Sequence, residues 1–136
     1  PPICTLHLID GPVTITGAGG PLVLRPIRVT HGNIDALGFR VGDVAYMPDV
    51  SEIPAAAWAL LGALDCWIVD ALRYREHPSH AHLDRTLGWI ARAAPRAAVI
   101  TNMHVDLDHA RLTADLPPGV TPAHDGMQIT LPLDSP

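Results

Sequence analysis

The stretch LDCWIVDALRYREHPSHAHLDRTLGWIARAAPRAAVITN, residues 64–102, decides the fold because two short apolar runs flank an amphipathic segment. Residues 66–69 and 97–100 are apolar throughout, as expected of strands that are buried on both faces. Between them, Leu83, Leu87 and Ile90 recur at the spacing of one helical face. The stretch therefore predicts a strand, a helix and a second strand in succession.

Towards the N-terminus the pattern changes to short β-rich runs that are separated by turn residues. Pro26 interrupts one run, which favours an edge strand or a bulge because proline cannot donate to a ladder. Gly42-Asp43 lies between two apolar runs and predicts a two-residue hairpin turn. The strands predicted in this region cover residues 3–9, 13–16, 22–30, 39–41 and 44–47.

Polar residues precede the remaining helical patterns. Ser51 is predicted to cap a helix around Trp58, and Asp108 to cap a helix that ends before Pro117. Two final strands are predicted at residues 120–123 and 127–131. Hairpins followed by strand–helix units indicate an α/β fold, with a mixed sheet and helices on one face.

Composition narrows the class of protein. The 136 residues are enough for one domain, and no run approaches the roughly 18–20 apolar residues that span a bilayer. We therefore expect a single domain over residues 1–136, no membrane partner and a cytoplasmic location. The formal charge of −5, with nine arginines and no lysine, argues against nucleic acid as a partner.

Polar side chains cluster where the predicted strands end, which is where an α/β sheet opens to ligands. Imidazole and carboxylate donors together suit Zn²⁺, Mn²⁺ or Fe²⁺. A carboxylate that bridges two such ions stabilises the attacking and leaving oxygens of phosphoryl transfer. The residues at these strand ends are His31, Asp49, Asp70, Asn102, His104 and Asp106.

Several short motifs occur in one order along the chain: Val29-Thr30-His31-Gly32, Tyr46-Met47-Pro48-Asp49, Asp70-Ala71-Leu72-Arg73, His77-Pro78-Ser79-His80, residues 101–108 (TNMHVDLD) and Asp125-Gly126-Met127. This order resembles the second half of PhnP-type phosphodiesterases of the metallo-β-lactamase superfamily. The resemblance implies an αββα sandwich, of which this chain is the C-terminal half. It also implies two divalent metal ions, zinc or manganese, in the intact enzyme.

The resemblance assigns roles residue by residue. His31 matches a metal ligand, and Asp49 matches the carboxylate that bridges the two ions and takes part in catalysis. His80 matches a histidine that acts as general acid on the leaving oxygen. Asp70 and Arg73 are expected to form an ion pair or to orient the histidine loop beside these groups.

The sequence departs from the family pattern at two places. The last ligand is normally the histidine of a Thr-His pair, but this chain has Thr101-Asn102, so we assign the ligand role to His104. Whether Asn102 or His104 faces the metal stays open, and the other of the two, with Asp106, is expected to lie just outside the ligands. The family's first motif, His-x-His-x-Asp-His, has no match, so we expect a natural protein about twice this length.

These observations predict a metal-dependent hydrolase, in its intact form a phosphodiesterase for small cyclic or nucleotide-like phosphodiesters. Residues 1–136 alone are expected to be inactive. One alternative is a non-catalytic half-domain that self-associates into a homo-oligomer through an exposed apolar seam. Another keeps the fold and changes the chemistry to RNA processing or to lactam or thioester hydrolysis.

Overall fold

The computed structural model describes residues 3–131, and its seven strands form one mixed sheet in sequential order. One 3₁₀ helix and two α-helices connect the later strands. The strands are β1 (Val13–Gly17), β2 (Gly20–His31), β3 (Ile34–Val41), β4 (Val44–Met47), β5 (Cys66–Asp70), β6 (Ala97–Thr101) and β7 (Val120–Pro122). The helices are the 3₁₀ helix Ala55–Leu60, α1 (Leu83–Ala93) and α2 (His109–Asp115).

The pairing of neighbouring strands changes from antiparallel to parallel at β4. Strands β1 to β4 pair as antiparallel neighbours, and β4 to β7 pair in parallel. Since β2 and β4 run the same way, β2, β4, β5 and β6 end at one edge, which we call the carboxyl edge. A helix lies in each of the three parallel connections. Buried residues of all three helices, among them Ala57, Ile90 and Leu112, join one core cluster with the strands, so the helices pack on one face of the sheet. The predicted mixed sheet with helices on one face is confirmed.

The core lies between the sheet and these helices. Strand residues such as Ala45, Trp67 and Ala98 are fully or almost fully buried and belong to one core cluster with Ile90 and Leu112. Burial alternates along β4, whereas β5 and β6 are buried at most consecutive positions, as predicted for strands that are covered on both faces. Burying each large apolar side chain contributes about 1.5–3 kcal/mol, which makes this layer the main support of the carboxyl edge.

The opposite face of the sheet is only partly covered around Tyr46. Tyr46 is 48% exposed and pairs with Phe39 on one side and with Ile68 on the other, both half-buried. No helix of residues 3–131 is long and apolar enough to cross a membrane.

Most of the predicted elements are confirmed. The hairpin at Gly42-Asp43 joins β3 and β4, the segment 64–102 forms β5, α1 and β6, and the Asp108 carboxylate accepts from the Arg111 N–H at the start of α2. Pro26 pairs with β3 alone, because β1 pairs with β2 only up to Leu24. It therefore lies at an edge position, as its missing N–H requires.

Three local predictions are wrong. Residues 3–9 and 127–131 form no strand, and Leu6 and Leu8 are each 90% exposed. A β-rich run becomes a strand only when a partner strand supplies hydrogen bonds, and the described residues supply none at these positions. The helix expected from Ser51 begins only after Pro54 and is a short 3₁₀ helix, because Ser51 bonds to β2 instead of capping.

Candidate metal centre

The carboxyl edge of the sheet brings three metal-type side chains together. His31 ends β2, Asp49 follows β4, and His80 lies in the loop between β5 and α1. One potential ligand atom of each lies within 4.8 Å of those of the other two. The imidazole rings of His31 and His80 meet edge to face, with centroids 4.6 Å apart.

His31 is held by the loop that carries His80. Its Nδ1–H donates to the Ser79 carbonyl oxygen at 2.6 Å. A carbonyl can only accept, so the neutral ring carries its proton on Nδ1 and leaves the Nε2 lone pair free. Gly32 permits this approach, because its φ is +63° and a Cβ there would lie 2.9 Å from the Ser79 Cβ.

His80 is held by a carboxylate from beneath the site. Its Nδ1 donates to Asp70 Oδ2 at 2.8 Å, and Asp70 is wholly buried. The same oxygen accepts from the backbone N–H groups of Val50 and Ala81, at 3.4 and 3.3 Å. Burial raises the pKa of the Asp70 carboxyl, although the bonds from His80 and the two backbone groups partly oppose that rise.

Asp49 differs from the two histidines because its carboxylate is unengaged. It is exposed, and its oxygens accept no hydrogen bond from the part of the chain that the structure describes. The backbone on either side is fixed, since the Pro48 carbonyl accepts from Asn102 Nδ2 at 3.1 Å and the Val50 N–H donates to Asp70. Asp49 therefore has a fixed backbone and a side chain that is free to turn towards a cation.

The structure places Asn102, and not His104, beside the histidine and carboxylate group. Asn102 has φ +60°, a left-handed conformation that asparagine tolerates better than most residues. Its amide also donates to Asp70 Oδ1 at 3.4 Å. His104 lies outside the three-residue group and contacts the Asp106 carboxylate, so its assignment as a ligand stays a prediction.

Arg73 braces the histidine loop and does not pair with Asp70. Its guanidinium donates to the carbonyls of Arg75 and Glu76, at 3.2 and 2.7 Å. Of the two roles expected for Asp70 and Arg73, the ion pair is therefore wrong. Orientation of the histidine loop agrees with these contacts.

His77 precedes the site on the same loop. Its Nδ1 accepts from the Ser79 N–H at 3.3 Å, and its ring centroid lies 5.3 Å from that of His80. Desolvation lowers the pKa of His77, and the nearby charges of Arg73 and the other two histidines lower it further.

The residues that support the site are not evident from local sequence patterns. Ser79 accepts from His31, Ser51 Oγ accepts from the Gly32 N–H at 3.0 Å, and the buried Thr86 donates its hydroxyl to the Asp70 carbonyl at 2.6 Å. The glycine directly after His31 was a usable signal for a tight turn. The two serines and the threonine act through long-range contacts that no local pattern reveals.

The donor set fits one divalent cation. Two imidazole nitrogens and one carboxylate suit Zn²⁺, Mn²⁺ or Fe²⁺. Ligands at the usual 2.0–2.1 Å from a tetrahedral ion lie roughly 3.4 Å from one another. The donors here lie within 4.8 Å of one another, so adjustments of about 1–2 Å in the distances between them would close the group around an ion.

Comparison with known proteins identifies the family. A family model described as a beta-lactamase superfamily domain matches residues 3–105. The chain belongs to this superfamily. A crystal structure of a diphosphatase from the PhnP family is 31% identical with a TM-score of 0.86, and the match covers 93% of this chain and 48% of that one. The predicted resemblance to PhnP-type proteins and the metallo-β-lactamase fold are thereby confirmed.

Two further proteins are similar over a smaller share of their length. Human tRNase Z, short form, matches with a TM-score of 0.64 at 19% identity, over 82% of this chain and 44% of that one, and shows the fold alone. An octanoyltransferase of Porphyromonas gingivalis is 29% identical over 110 residues, which are 79% of this chain and 22% of that protein. The chain thus spans about half of each solved structure and about a fifth of the transferase.

Proposed function

We propose that this protein is a metal-dependent hydrolase of small phosphodiesters, cyclic or nucleotide-like. The observation that carries the proposal is the grouping of His31, Asp49 and His80 at the carboxyl edge, with both imidazoles anchored through Nδ1. Anchoring one ring nitrogen fixes the tautomer and aims the other nitrogen, which is how proteins prepare histidines for metal sites. The similarity to a PhnP-family diphosphatase supports chemistry at phosphorus.

Different residues of this chain would bind the metal and donate the proton. His31 and Asp49 would hold the metal, zinc or manganese. Bound metal would supply an activated water and neutralise charge on the phosphoryl oxygens. His80, protonated on Nε2, would donate that proton to the departing oxygen while Asp70 orients the ring and stabilises its positive charge.

Asp70 also provides a fixed carboxylate at the base of the site. Its carboxylate is fully buried and saturated by His80, two backbone N–H groups and Asn102. A buried, fully bonded carboxylate keeps one geometry at little reorganisation cost when charge develops above it. Its contribution is therefore one of positioning.

The test is hydrolysis of bis(p-nitrophenyl) phosphate and of 2′,3′-cyclic nucleotides by the full-length natural protein, stripped of metal and reloaded with Zn²⁺ or Mn²⁺. His31→Ala and Asp49→Asn should each lower kcat/KM at least about 100-fold, because ligand loss removes the metal's electrostatic stabilisation. His109→Ala, on the exposed side of α2, is the matched histidine control and should keep wild-type turnover.

Retention of near-normal turnover in either ligand variant would overturn the proposal. The same preparations should be offered a precursor tRNA, a β-lactam and an acyl thioester. Faster turnover of any of these than of the phosphodiesters would show that the site serves RNA processing or acyl chemistry on the same fold.

A further inference from the structure

We infer that this chain holds one divalent cation by itself, with His80 as the third ligand beside His31 and Asp49. The inference rests on the proposed function in placing metal at the carboxyl edge. It goes further by giving His80 a ligand role in the substrate-free protein and by setting the stoichiometry of this chain at one ion.

His80 is prepared as a ligand in the same way as His31. Each ring is anchored through Nδ1, His31 on the Ser79 carbonyl and His80 on the Asp70 carboxylate. Both side chains are partly buried, so each ring is fixed and its Nε2 is the nitrogen left for a cation. A carboxylate on the far nitrogen also makes a histidine a stronger donor to metal.

Asn102 does not compete for this role. Its amide nitrogen is committed to the Pro48 carbonyl and to Asp70, and an amide oxygen is a poor donor to a borderline ion such as Zn²⁺. His104 is turned to Asp106 and lies outside the group. Among the described residues, His80 is therefore the second nitrogen donor that the geometry offers.

The resulting donor set is two histidines and one carboxylate with positions left open. Such a set prefers Zn²⁺, Mn²⁺ or Fe²⁺ over Mg²⁺ and Ca²⁺, which favour all-oxygen coordination. Ligation and proton donation both use Nε2 of His80, so the two roles exclude each other at any one moment. The ligand role belongs to the resting protein. The donor role would belong to the complex in which a substrate oxygen has displaced the ring and the freed Nε2 has taken up a proton from water.

The experiment is calorimetric titration of ZnCl₂, and separately MnCl₂, into the metal-stripped 136-residue chain. We expect one Zn²⁺ per chain, with affinity lowered at least about 100-fold by His31→Ala, by Asp49→Asn and by His80→Ala alike. His109→Ala is the control and should bind like the wild type. Long-range ¹H–¹⁵N spectra give the second measurement, and the Nε2 resonances of His31 and His80 should both shift on loading.

Failure of the chain to retain any Zn²⁺ would overturn the inference, as would binding of two ions per chain. Retention of wild-type affinity by His80→Ala, with an unshifted His80 Nε2 signal, would overturn the ligand role. If that same variant then lost phosphodiester turnover in the full-length protein, the proposed function would stand without the inference. Ion binding through all three ligands with no turnover of any phosphodiester would instead overturn the proposed function and leave the inference standing.

Discussion

Two histidine–aspartate pairs lie beyond strands β5 and β6, and they have the same chemistry but differ in burial and in hydrogen-bonded support. In the first pair, the side chains of Asp70 and His80 are 0% and 17% exposed. In the second pair, those of His104 and Asp106 are 55% and 46% exposed. The first pair belongs to the candidate metal centre, and the second lies outside it.

The difference shows that support, and not contact alone, turns a histidine–carboxylate pair into part of a site. Asp70 accepts from two backbone N–H groups and from Asn102 in addition to His80. Asp106 has only local contacts with His104 among the described residues. Exposed pairs contribute about 0–1 kcal/mol because solvent screens the attraction, whereas removing one partner of a buried pair costs about 3–5 kcal/mol.

The largest effect is therefore expected from Asp70→Ala. It leaves two backbone N–H groups, His80 and Asn102 without their common acceptor, and should lower the free energy of unfolding by about 3 kcal/mol. Asp106→Ala is the matched control and should lower it by less than about 1 kcal/mol. Urea denaturation followed by circular dichroism measures both, and equal losses would erase the distinction between the pairs.

How much of this comparison could be predicted from sequence depends on the range of the interactions. Strands β5 and β6 and helix α1 follow from local periodicity, and the placement of polar residues at strand ends follows from them. The choice between Asn102 and His104 does not, because it is made by the left-handed backbone of Asn102 and by the distant Pro48 carbonyl. Residues 3–9 show the same limit, since their β-rich pattern lacks a described partner strand.

A smaller effect is expected at Asn102, which joins the buried pair to the loop that carries Asp49. Asn102→Gly removes the amide contacts with Pro48 and Asp70 and should cost about 1 kcal/mol of unfolding free energy. Asn102→Ala should cost about 1 kcal/mol more, because alanine is strained at φ +60°. Identical stabilities of the two variants would show that the left-handed backbone carries no cost.

The smallest expected effect is the pH dependence of the free energy of unfolding that arises from Asp70 in the buried pair. Burial raises the pKa of folded Asp70 above the unfolded value of about 3.9. Between those two values the folded state binds more protons than the unfolded state, so this group's contribution to stability falls as pH rises through that window. The stability of the wild type relative to Asp70→Asn should therefore decline from about pH 4 upwards. A difference that grew with pH would contradict the raised pKa.

The most direct test of the account is the tautomer of the neutral ring of each histidine in the metal-free chain, read from long-range ¹H–¹⁵N spectra. We expect His31 and His80 to be protonated on Nδ1, by donation to Ser79 and to Asp70, with Nε2 free to bind a cation. Protonation on Nε2 in either ring would mean that these nitrogens are not prepared for metal, and would contradict the account.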